Sequence, residues 1–412
     1  MVSLADVAGN ISAAVKQEFM IGNKTTQPDG WTEPPPPAAP TFLMGGRNTQ
    51  GYPAELLLVS TTGGSARAEP INHLMPLRGD RLYIDVRGGK VAMWVDPAVS
   101  PPAGRGPVAI YALASPNDIK WVPTPAASKD FHYEFQPIGR PVILDDGRVV
   151  LTVTLETDTV GDDYHAYQLA LWDPATDQIE TQGALDSLAL AQPEVQNCNC
   201  DPDAGTLRGM SFAVSPDGKY AYFAFGSYGV DAGMLHGGPS FIGRWDLATK
   251  QSESVVFTDP EATPWVVSKD GGKVLLNQET HFRVLDVAAK KIIHFDDYGE
   301  VVGAGQAAGN LFLKSWGYCQ DQGGLIVYDL AAMTAVKVIS APLLPKYRDI
   351  GNTAQISPDG TMVYALGADG ACGSGGAMGI WAVPNKEEAT AEAILLGELP
   401  SEYSQSIFLL VQ

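Results

Sequence analysis

The sequence predicts an all-β protein, built as a single β-propeller of about seven four-stranded blades in residues 40–412. Two short motifs recur along the chain, one before an apolar strand and one at the end of such a strand. The closest copies of the second motif, at Asp246, Asp286 and Asp329, lie 40 and 43 residues apart. A repeat of about 40 residues with four short strands is the period of a propeller blade.

The first motif is a tight turn rich in Asp and Gly that precedes an apolar strand. Proline presets φ, aspartate hydrogen-bonds to nearby backbone, and glycine takes the position with positive φ, so such a turn joins two antiparallel strands. Copies occupy residues 87–90, 145–148, 215–219, 268–273, 307–310 and 357–361.

The second motif is an apolar strand that ends in an aspartate. We expect each aspartate to accept a hydrogen bond from the backbone N–H two residues later, which closes the turn into the next strand. Close copies occupy residues 171–176, 244–249, 284–289 and 327–332, and looser ones occupy 110–115 and 381–386.

The two chain ends are predicted to complete one blade together. The C-terminal strand 406–412 has no turn after it, and the N-terminal strands at 42–44, 55–59 and 66–70 have no first strand before them. Pairing these segments removes two exposed sheet edges. Seven blades are therefore predicted, with six or eight as the alternatives. The six internal blades are expected at about 80–125, 130–192, 205–259, 262–297, 299–343 and 350–399.

Composition supports a folded, turn-rich chain and excludes several classes of partner. Of 412 residues, 45% are hydrophobic and 18% are charged, which excludes wholesale disorder, and 44 glycines and 30 prolines fit many turns. The formal net charge of −20 repels phosphate backbones and anionic lipid, so we expect no nucleic-acid partner. The sequence shows neither a run of about 18 apolar residues nor a signal-peptide pattern, so we expect no transmembrane segment.

Residues 1–39 are predicted to form a separate N-terminal segment. Apolar residues at helical spacing from Leu4 to Phe19 predict a helix that ends at Gly22. The proline-rich stretch 25–40 is typical of a stiff linker to the propeller domain, residues 40–412. The helix docks on the side of the propeller, acts as a tether, or binds another protein.

The turns Ser215–Gly218 and Ser357–Gly360, both Ser-Pro-Asp-Gly, carry a family resemblance. With them the chain resembles bacterial β-propellers of the YVTN and TolB-like kind over about residues 40–412. It departs from eukaryotic WD40 repeats, because no Gly-His pair starts a blade. The resemblance implies a propeller fold and an extracytoplasmic location, periplasmic or secreted. The shared motifs are structural, so the resemblance implies no activity.

The connections between strands predict which face of the propeller carries function. We label the strands of a blade A to D: the A–B and C–D turns share the short-turn face, and the B–C and D–A connections share the opposite, long-loop face. Binding residues favour loops on a rigid scaffold, so we expect the functional site on the long-loop face. The long connections there are 96–107, 156–167, 192–208, 227–240, 316–324 and 367–379.

Aromatic and histidine residues of the long-loop face are candidate ligand-binding residues. Glycines flank Tyr228 and His236, and aromatic rings supply a large contact area at a small entropic cost. Trp316 is instead a core residue if it only ends a strand. The candidate set is Tyr228, His236, Trp316, Tyr318 and His165. The histidines on or beside strands, expected to be structural, are His73, His132, His281 and His294.

The loop 158–165 is the most chemically dense of these connections. Asp162, Asp163 and His165 predict a site for a divalent metal ion such as calcium, or a general acid and base. The alternative is an ordinary polar loop beside a hydrogen-bonded histidine. Residues 201–205 resemble half of a calcium loop but lack its later glutamate.

All four cysteines, Cys198, Cys200, Cys319 and Cys372, fall on the long-loop face. Cys319 and Cys372 lie in B–C loops of neighbouring blades, within possible reach of a disulfide. We predict two disulfides, Cys198–Cys200 and Cys319–Cys372. Unpaired thiols and a metal site are the alternatives, although Cys-x-Cys is not the common zinc spacing.

Two functions fit these observations. The first is an extracytoplasmic binding module that recognises a protein or small-molecule ligand on the long-loop face. The second is a metal-assisted hydrolase or lyase at the central channel of the same face, using Asp162, Asp163, His165 and His236. The sequence contains no linear catalytic motif, which weakens the support for an enzyme. It does not exclude one, because the catalytic residues of propeller enzymes come from different blades.

Overall fold

A computed structural model of the protein describes residues 40–47, 53–62, 65–79, 83–125, 131–135, 137, 139–157, 165–182, 200–231, 234–258, 262–278, 281–298, 301–304, 311–316, 324–340, 349–368, 378–385, 393–399 and 403–411. In parts of several strands it describes the backbone without the side chains. The helix and linker predicted in residues 1–39 lie outside this range.

The described part of the chain is mainly β-strand, with a short 3₁₀ turn at Leu77–Gly79. In chain order the strands are β1 (Thr41–Arg47), β2 (Pro53–Thr62), β3 (Ser65–Pro70), β4 (Ile84–Arg87), β5 (Lys90–Trp94), β6 (Arg105–Ala112), β7 (Ser115–Pro123), β8 (Phe131–Glu134), β9 (Val142–Ile143), β10 (Val149–Thr157), β11 (His165–Asp173), β12 (Gln178–Thr181), β13 (Cys200–Val214), β14 (Tyr220–Asp231), β15 (Met234–Asp246), β16 (Ser252–Thr258), β17 (Thr263–Val267), β18 (Lys273–Gln278), β19 (His281–Asp286), β20 (Lys291–Tyr298), β21 (Val301–Ala304), β22 (Leu311–Trp316), β23 (Gly324–Asp329), β24 (Thr334–Ser340), β25 (Asp349–Ile356), β26 (Met362–Ala368), β27 (Met378–Pro384), β28 (Ile394–Leu399) and β29 (Tyr403–Leu410).

These strands form seven antiparallel sheets, which we call blades 1 to 7. Blade 1 contains β4–β7, blade 2 contains β8–β12, and blades 3 to 6 take four strands each from β13 to β28. Blade 7 has the order β29-β1-β2-β3. The predicted all-β class is confirmed, and each internal blade lies within or close to its predicted span.

Blade 7 is assembled from the two ends of the described chain, as the sequence predicts. β29 pairs with β1, with Phe42 opposite Leu410 and Leu43 opposite Leu409. The rings of Phe42 and Phe408 stack with their centroids 4.7 Å apart, and both side chains are fully buried. An apolar strand buried on both faces explains the unbroken hydrophobic run at the C-terminus.

The hydrophobic core lies between the blades, because each sheet buries both faces against its neighbours. Leu43 and Ile407 of blade 7 pack with Val91 and Met93 of blade 1. On its other face, Phe408 of blade 7 packs among residues of blade 6 that include Leu366 and Ile380. Comparable clusters join each successive pair of blades from 1 to 6.

The first turn motif satisfies its own polar groups. In blade 3 the Ser215 hydroxyl accepts a hydrogen bond from the Tyr220 N–H (2.9 Å) and donates one to Asp217 Oδ1 (2.6 Å). Gly218 takes φ of 68°, a conformation that favours glycine. Ser268 and Ser357 make the same pair of bonds in blades 4 and 6. The hairpin chemistry predicted from these residues is therefore confirmed.

The second turn motif behaves nearly as predicted. Asp173, Asp246 and Asp329 each accept a hydrogen bond from the N–H two residues later, at 2.8–2.9 Å. Asp286 accepts from the N–H of Ala289, three residues later. The fourth residue after each of these aspartates has a positive φ of 51–62°, at Asp177, Lys250, Lys290 and Met333.

Blade 2 departs from the regular pattern in its A strand. Two short strands, β8 and β9, share this position, and each pairs with a different end of β10. The segment between them is anchored on blade 1: Phe135 packs edge-on against Trp94, and Trp94 Nε1 donates to the Gly139 carbonyl oxygen (2.9 Å). The buried Asp85 carboxylate of β4 accepts from the Ile143 N–H (2.9 Å) and holds β9 in place.

Candidate functional site

The B–C hairpins determine how far each blade extends on the long-loop face. In blade 4, β18 leaves the A–B turn at Lys273 and ends at Gln278. In blade 3, β14 begins after the equivalent turn at Tyr220 and continues to Asp231. It is therefore six residues longer than β18. At about 3.4 Å per residue, this adds about 20 Å to the blade 3 hairpin.

This longer region is strand where the sequence predicted loop. Residues 227–231 and 234–240 pair as the continuation of β14 and β15, and 200–208 belong to β13. The loop prediction rested on glycine content, but backbone partners from three neighbouring strands override that weak local preference. Register shifts in β13 and β14 accommodate the irregular sequence. We call residues 200–206, 226–231 and 234–240 the blade 3 extension.

The blade 3 extension brings together residues that the sequence singled out separately. Asp201 lies opposite Tyr228, and Cys200 lies opposite Gly229. On the other side of β14, Gly229 lies opposite His236. Tyr228 and His236, both predicted ligand-binding residues, therefore occupy adjacent rows of one three-stranded sheet, and adjacent rows belong to opposite faces.

The other two predicted aromatic residues lie in blade 5. Trp316 is the last residue of β22 and lies opposite Gly324 of β23. Tyr318 lies outside the described residues. The backbone register therefore connects neither of them with the Tyr228 row, and their role in binding stays a prediction.

His165 is the first residue of β11 and lies opposite Glu156 of β10. On the other side of β10, Glu156 lies opposite His132 of β8. Glu156 is not among the residues predicted from the sequence, and His132 is predicted to be structural. The alternation of β10 could have indicated Glu156, because this residue continues the series of the buried Thr152 and Thr154 at intervals of two.

The predicted acidic metal site and the predicted disulfides stay predictions. Asp162, Asp163, Cys198, Cys319 and Cys372 lie outside the described residues, and of Cys200 only the backbone position is described. Among the residues with described side chains, no group of three or more His, Cys, Asp or Glu is arranged to hold a metal ion.

The described residues contain no helix with the length and apolar character of a membrane span.

A cavity of about 190 Å³ opens between blades 1 and 2 at the short-turn face. Its charged lining includes Lys90, Lys120, Asp146 and Asp173. Lys120 Nζ already donates to the Pro174 carbonyl oxygen (2.9 Å). Hydrogen bonds from the Ala175 N–H and the Thr176 hydroxyl hold the pKa of the Asp173 carboxyl below its usual value. The Lys120 ammonium and the Asp173 carboxylate already have partners within the protein, so the long-loop face is the stronger candidate.

Comparison with family models and with curated proteins finds no match. Among solved structures, oligogalacturonate lyase from Vibrio parahaemolyticus has a TM-score of 0.49 at 10% identity, over 87% of this chain and 85% of the lyase. TolB from Acinetobacter baumannii has a TM-score of 0.35 at 14% identity, over 73% of this chain and 63% of TolB. Both are β-propellers. At TM-scores below 0.5 these similarities carry no functional argument, and the fold assignment rests on the strand order.

Proposed function

We propose that this propeller is a binding module that recognises a protein or small-molecule ligand on its long-loop face. The observation that carries the proposal is the blade 3 extension, which continues about 20 Å beyond the length of the blade 4 hairpin. Strands that continue past the packed body of a sheet contribute little to its core. Their length is better explained by a surface that contacts another molecule.

The composition of the blade 3 extension supports this role. Tyr228 and Asp201 lie directly opposite one another and therefore share a face, and His236 lies one row further, on the other face, among several glycines. Glycines permit close approach of a ligand to the backbone, and an aromatic ring supplies contact area with few rotatable bonds. The formal net charge of −20 favours a neutral or cationic ligand over an anionic one.

A thermal-shift screen of peptides and saccharides tests the proposed surface. We expect that ligands which raise the melting temperature of the wild-type protein lose this effect in a Tyr228→Ala/His236→Ala variant. Tyr220→Ala is the matched control, because Tyr220 lies at the short-turn end of the same hairpin. Ligands that stabilise the double variant as strongly as the wild type would place the binding surface elsewhere.

An extracytoplasmic location and two disulfides complete this proposal. They rest on the resemblance in the repeated turns and on the position of the four cysteines in the predicted long-loop connections. Mass spectrometry of the unreduced protein should find no free thiol at Cys198, Cys200, Cys319 or Cys372. Four thiols that alkylate freely without reductant would remove this part of the proposal and leave the binding surface untouched.

One observation favours a second candidate function, metal-assisted hydrolysis or elimination. His165, a predicted metal ligand, occupies the register position opposite Glu156 of β10, and imidazole and carboxylate are both common zinc ligands. Activity against a panel of ester, phosphoester and uronate substrates should then disappear on chelation and return with metal. Activity that persists in excess chelator would exclude this candidate.

A further inference from the structure

The C strand of blade 3 extends beyond its D strand. β16 ends at Thr258, which lies opposite Ser240 of β15, whereas β15 begins six residues earlier, at Met234. In the described part of the chain, no strand pairs with residues 234–239 on the side away from β14. In blades 4, 5 and 6, by contrast, the D strand pairs with the C strand up to the first residue of that C strand. We call residues 234–239 the free edge of β15.

This free edge offers backbone hydrogen-bonding groups. Along an unpaired edge, alternate residues direct both N–H and C=O away from the sheet, toward the position of a further strand. At about 3.4 Å per residue, the free edge is about 20 Å long. The connection from β16 to β17 comprises only residues 259–262, which are fewer than the residues of the free edge. Pro239 has no backbone N–H, so the available donors lie in residues 234–238.

The charged residues of the blade 3 extension are all acidic. Asp201 and Asp203 belong to β13, Asp231 ends β14, and the extension contains no lysine or arginine. Lysine is a common protection of an edge strand against association, and the free edge lacks it. A strand that carries lysine or arginine is therefore attracted to this part of the molecule, and an acidic strand is repelled.

We propose that the free edge of β15 binds an extended basic segment of a partner protein by strand addition, an inference that rests on the binding function proposed above. The added segment takes the place that the D strand holds in the rest of the blade, with its main chain hydrogen-bonded to β15. Main-chain hydrogen bonds supply affinity in this mode, and the acidic extension selects basic side chains. Saccharides have no main chain that continues the ladder, so the ligand class is peptide.

Fluorescence anisotropy with labelled decapeptides tests this mode of binding on the full-length protein. The probes alternate lysine with valine or threonine. The matched control peptides have the same sequences with a methyl group on every backbone nitrogen, which removes the donors and keeps the side chains. We expect the methylated peptides to bind at least tenfold more weakly, and so should peptides in which glutamate replaces lysine.

Hydrogen exchange of the full-length protein, measured by mass spectrometry, locates the contact without any substitution. In the free protein, the amides of residues 234–238 should exchange faster than those of residues 281–286, a C strand that pairs on both sides along its whole length. A saturating concentration of the basic peptide should slow exchange in residues 234–238 and leave residues 281–286 unchanged.

Replacement of two carboxylates tests the charge preference. Asp201→Asn/Asp203→Asn should weaken the binding of the basic peptide at least threefold and reduce its dependence on salt. Glu69→Gln/Asp118→Asn is the matched control, because it changes the net charge equally at two exposed residues of blades 7 and 1. The control variant should bind the peptide as the wild type does.

Other outcomes overturn strand addition. Methylated peptides that bind as tightly as the probes would show that side chains alone make the contact. Slow exchange of residues 234–238 in the free protein would mean that another segment of this chain, or a second copy, already covers the edge. A ligand from the thermal-shift screen that depends on Tyr228 and His236, but does not slow exchange in residues 234–238, would remove strand addition and leave the proposed binding function in place.

Discussion

The two faces of this propeller are built in different ways. On the short-turn face, a few contiguous residues such as Ser215 to Tyr220 satisfy one another's polar groups, and the same turn returns from blade to blade. On the long-loop face, the B–C hairpins of blades 3 and 4 end at different lengths, with β14 six residues longer than β18. The short-turn face stabilises the scaffold, because the polar groups of its turns are hydrogen-bonded locally. The long-loop face can therefore differ from blade to blade.

The short-turn face also holds neighbouring blades together. Arg87, at the end of β4, donates to the carbonyl oxygens of Ile143 in blade 2 and Pro216 in blade 3, each at 3.2 Å. The same guanidinium pairs with Asp145 at 2.6 Å. One side chain therefore connects three blades at this face. On the long-loop face, the residues of interest instead meet within single blades, through strand register.

Removal of residues 404–412 should have the largest effect, because both faces depend on the scaffold. The deletion takes most of β29, the strand that joins the two ends of the described chain and buries Ile407 and Phe408. We expect a sharply lower melting temperature and aggregation through the exposed edge of β1, measured by circular dichroism and light scattering.

Phe408→Ala is the milder companion of this deletion. It should cost about 3–5 kcal/mol of unfolding free energy, as is usual when a buried phenylalanine is truncated. A truncated protein that melts at the wild-type temperature would show that β29 contributes little to the scaffold.

Ser215→Ala should have an intermediate effect confined to the short-turn face. The substitution removes the acceptor of the Tyr220 N–H at a site where the serine is only 1% exposed. An unsatisfied buried donor costs about 1–3 kcal/mol, which urea unfolding can measure. Alanine at the exposed Ser115 is the control and should be neutral. Ligand binding at the blade 3 extension should not change, and a loss there would mean that the two faces are coupled.

Acid should produce the smallest and broadest effect, again through the short-turn face. The Ser357 hydroxyl and the Thr361 N–H lower the pKa of the Asp359 carboxyl, and the Ser268 hydroxyl and the Gly272 N–H do the same for Asp270. A carboxyl whose pKa is lower in the folded state contributes stability above its unfolded pKa of about 3.9, and this contribution disappears as the pH falls through the folded pKa.

Urea unfolding between pH 7 and pH 2.5 measures this loss. Stability should be level near neutral pH with respect to these groups and should decline below about pH 4. Asp359→Asn should make the decline shallower, because it removes one of the titrating carboxyls. An equal decline in that variant would show that the turn carboxylates are not its cause.

Much of the fold could be predicted because its signals are local. The turns at Ser215 and Ser357 are encoded in six or fewer consecutive residues. Their aspartates accept the predicted backbone hydrogen bonds, from the Lys219 N–H to Asp217 and from the Thr361 N–H to Asp359, each at 3.0 Å. The spacing of Asp246, Asp286 and Asp329 reports the length of a blade directly. The site was less predictable. Residue type alone predicts His165 and Tyr228 as site residues, whereas strand pairing is needed to identify Glu156 and Asp201 as their partners.

The all-β class, the blade repeat and the pairing of the chain ends could be predicted from residues alone, because turn chemistry and apolar runs act over short distances. Long-range pairing makes strands of residues 200–208, 227–231 and 234–240, and it places His132, Glu156 and His165 in one register row. Register depends on bulges and on the split of a strand that blade 1 anchors through Trp94 and Asp85. Such long-range contacts cannot be identified from a short stretch of sequence.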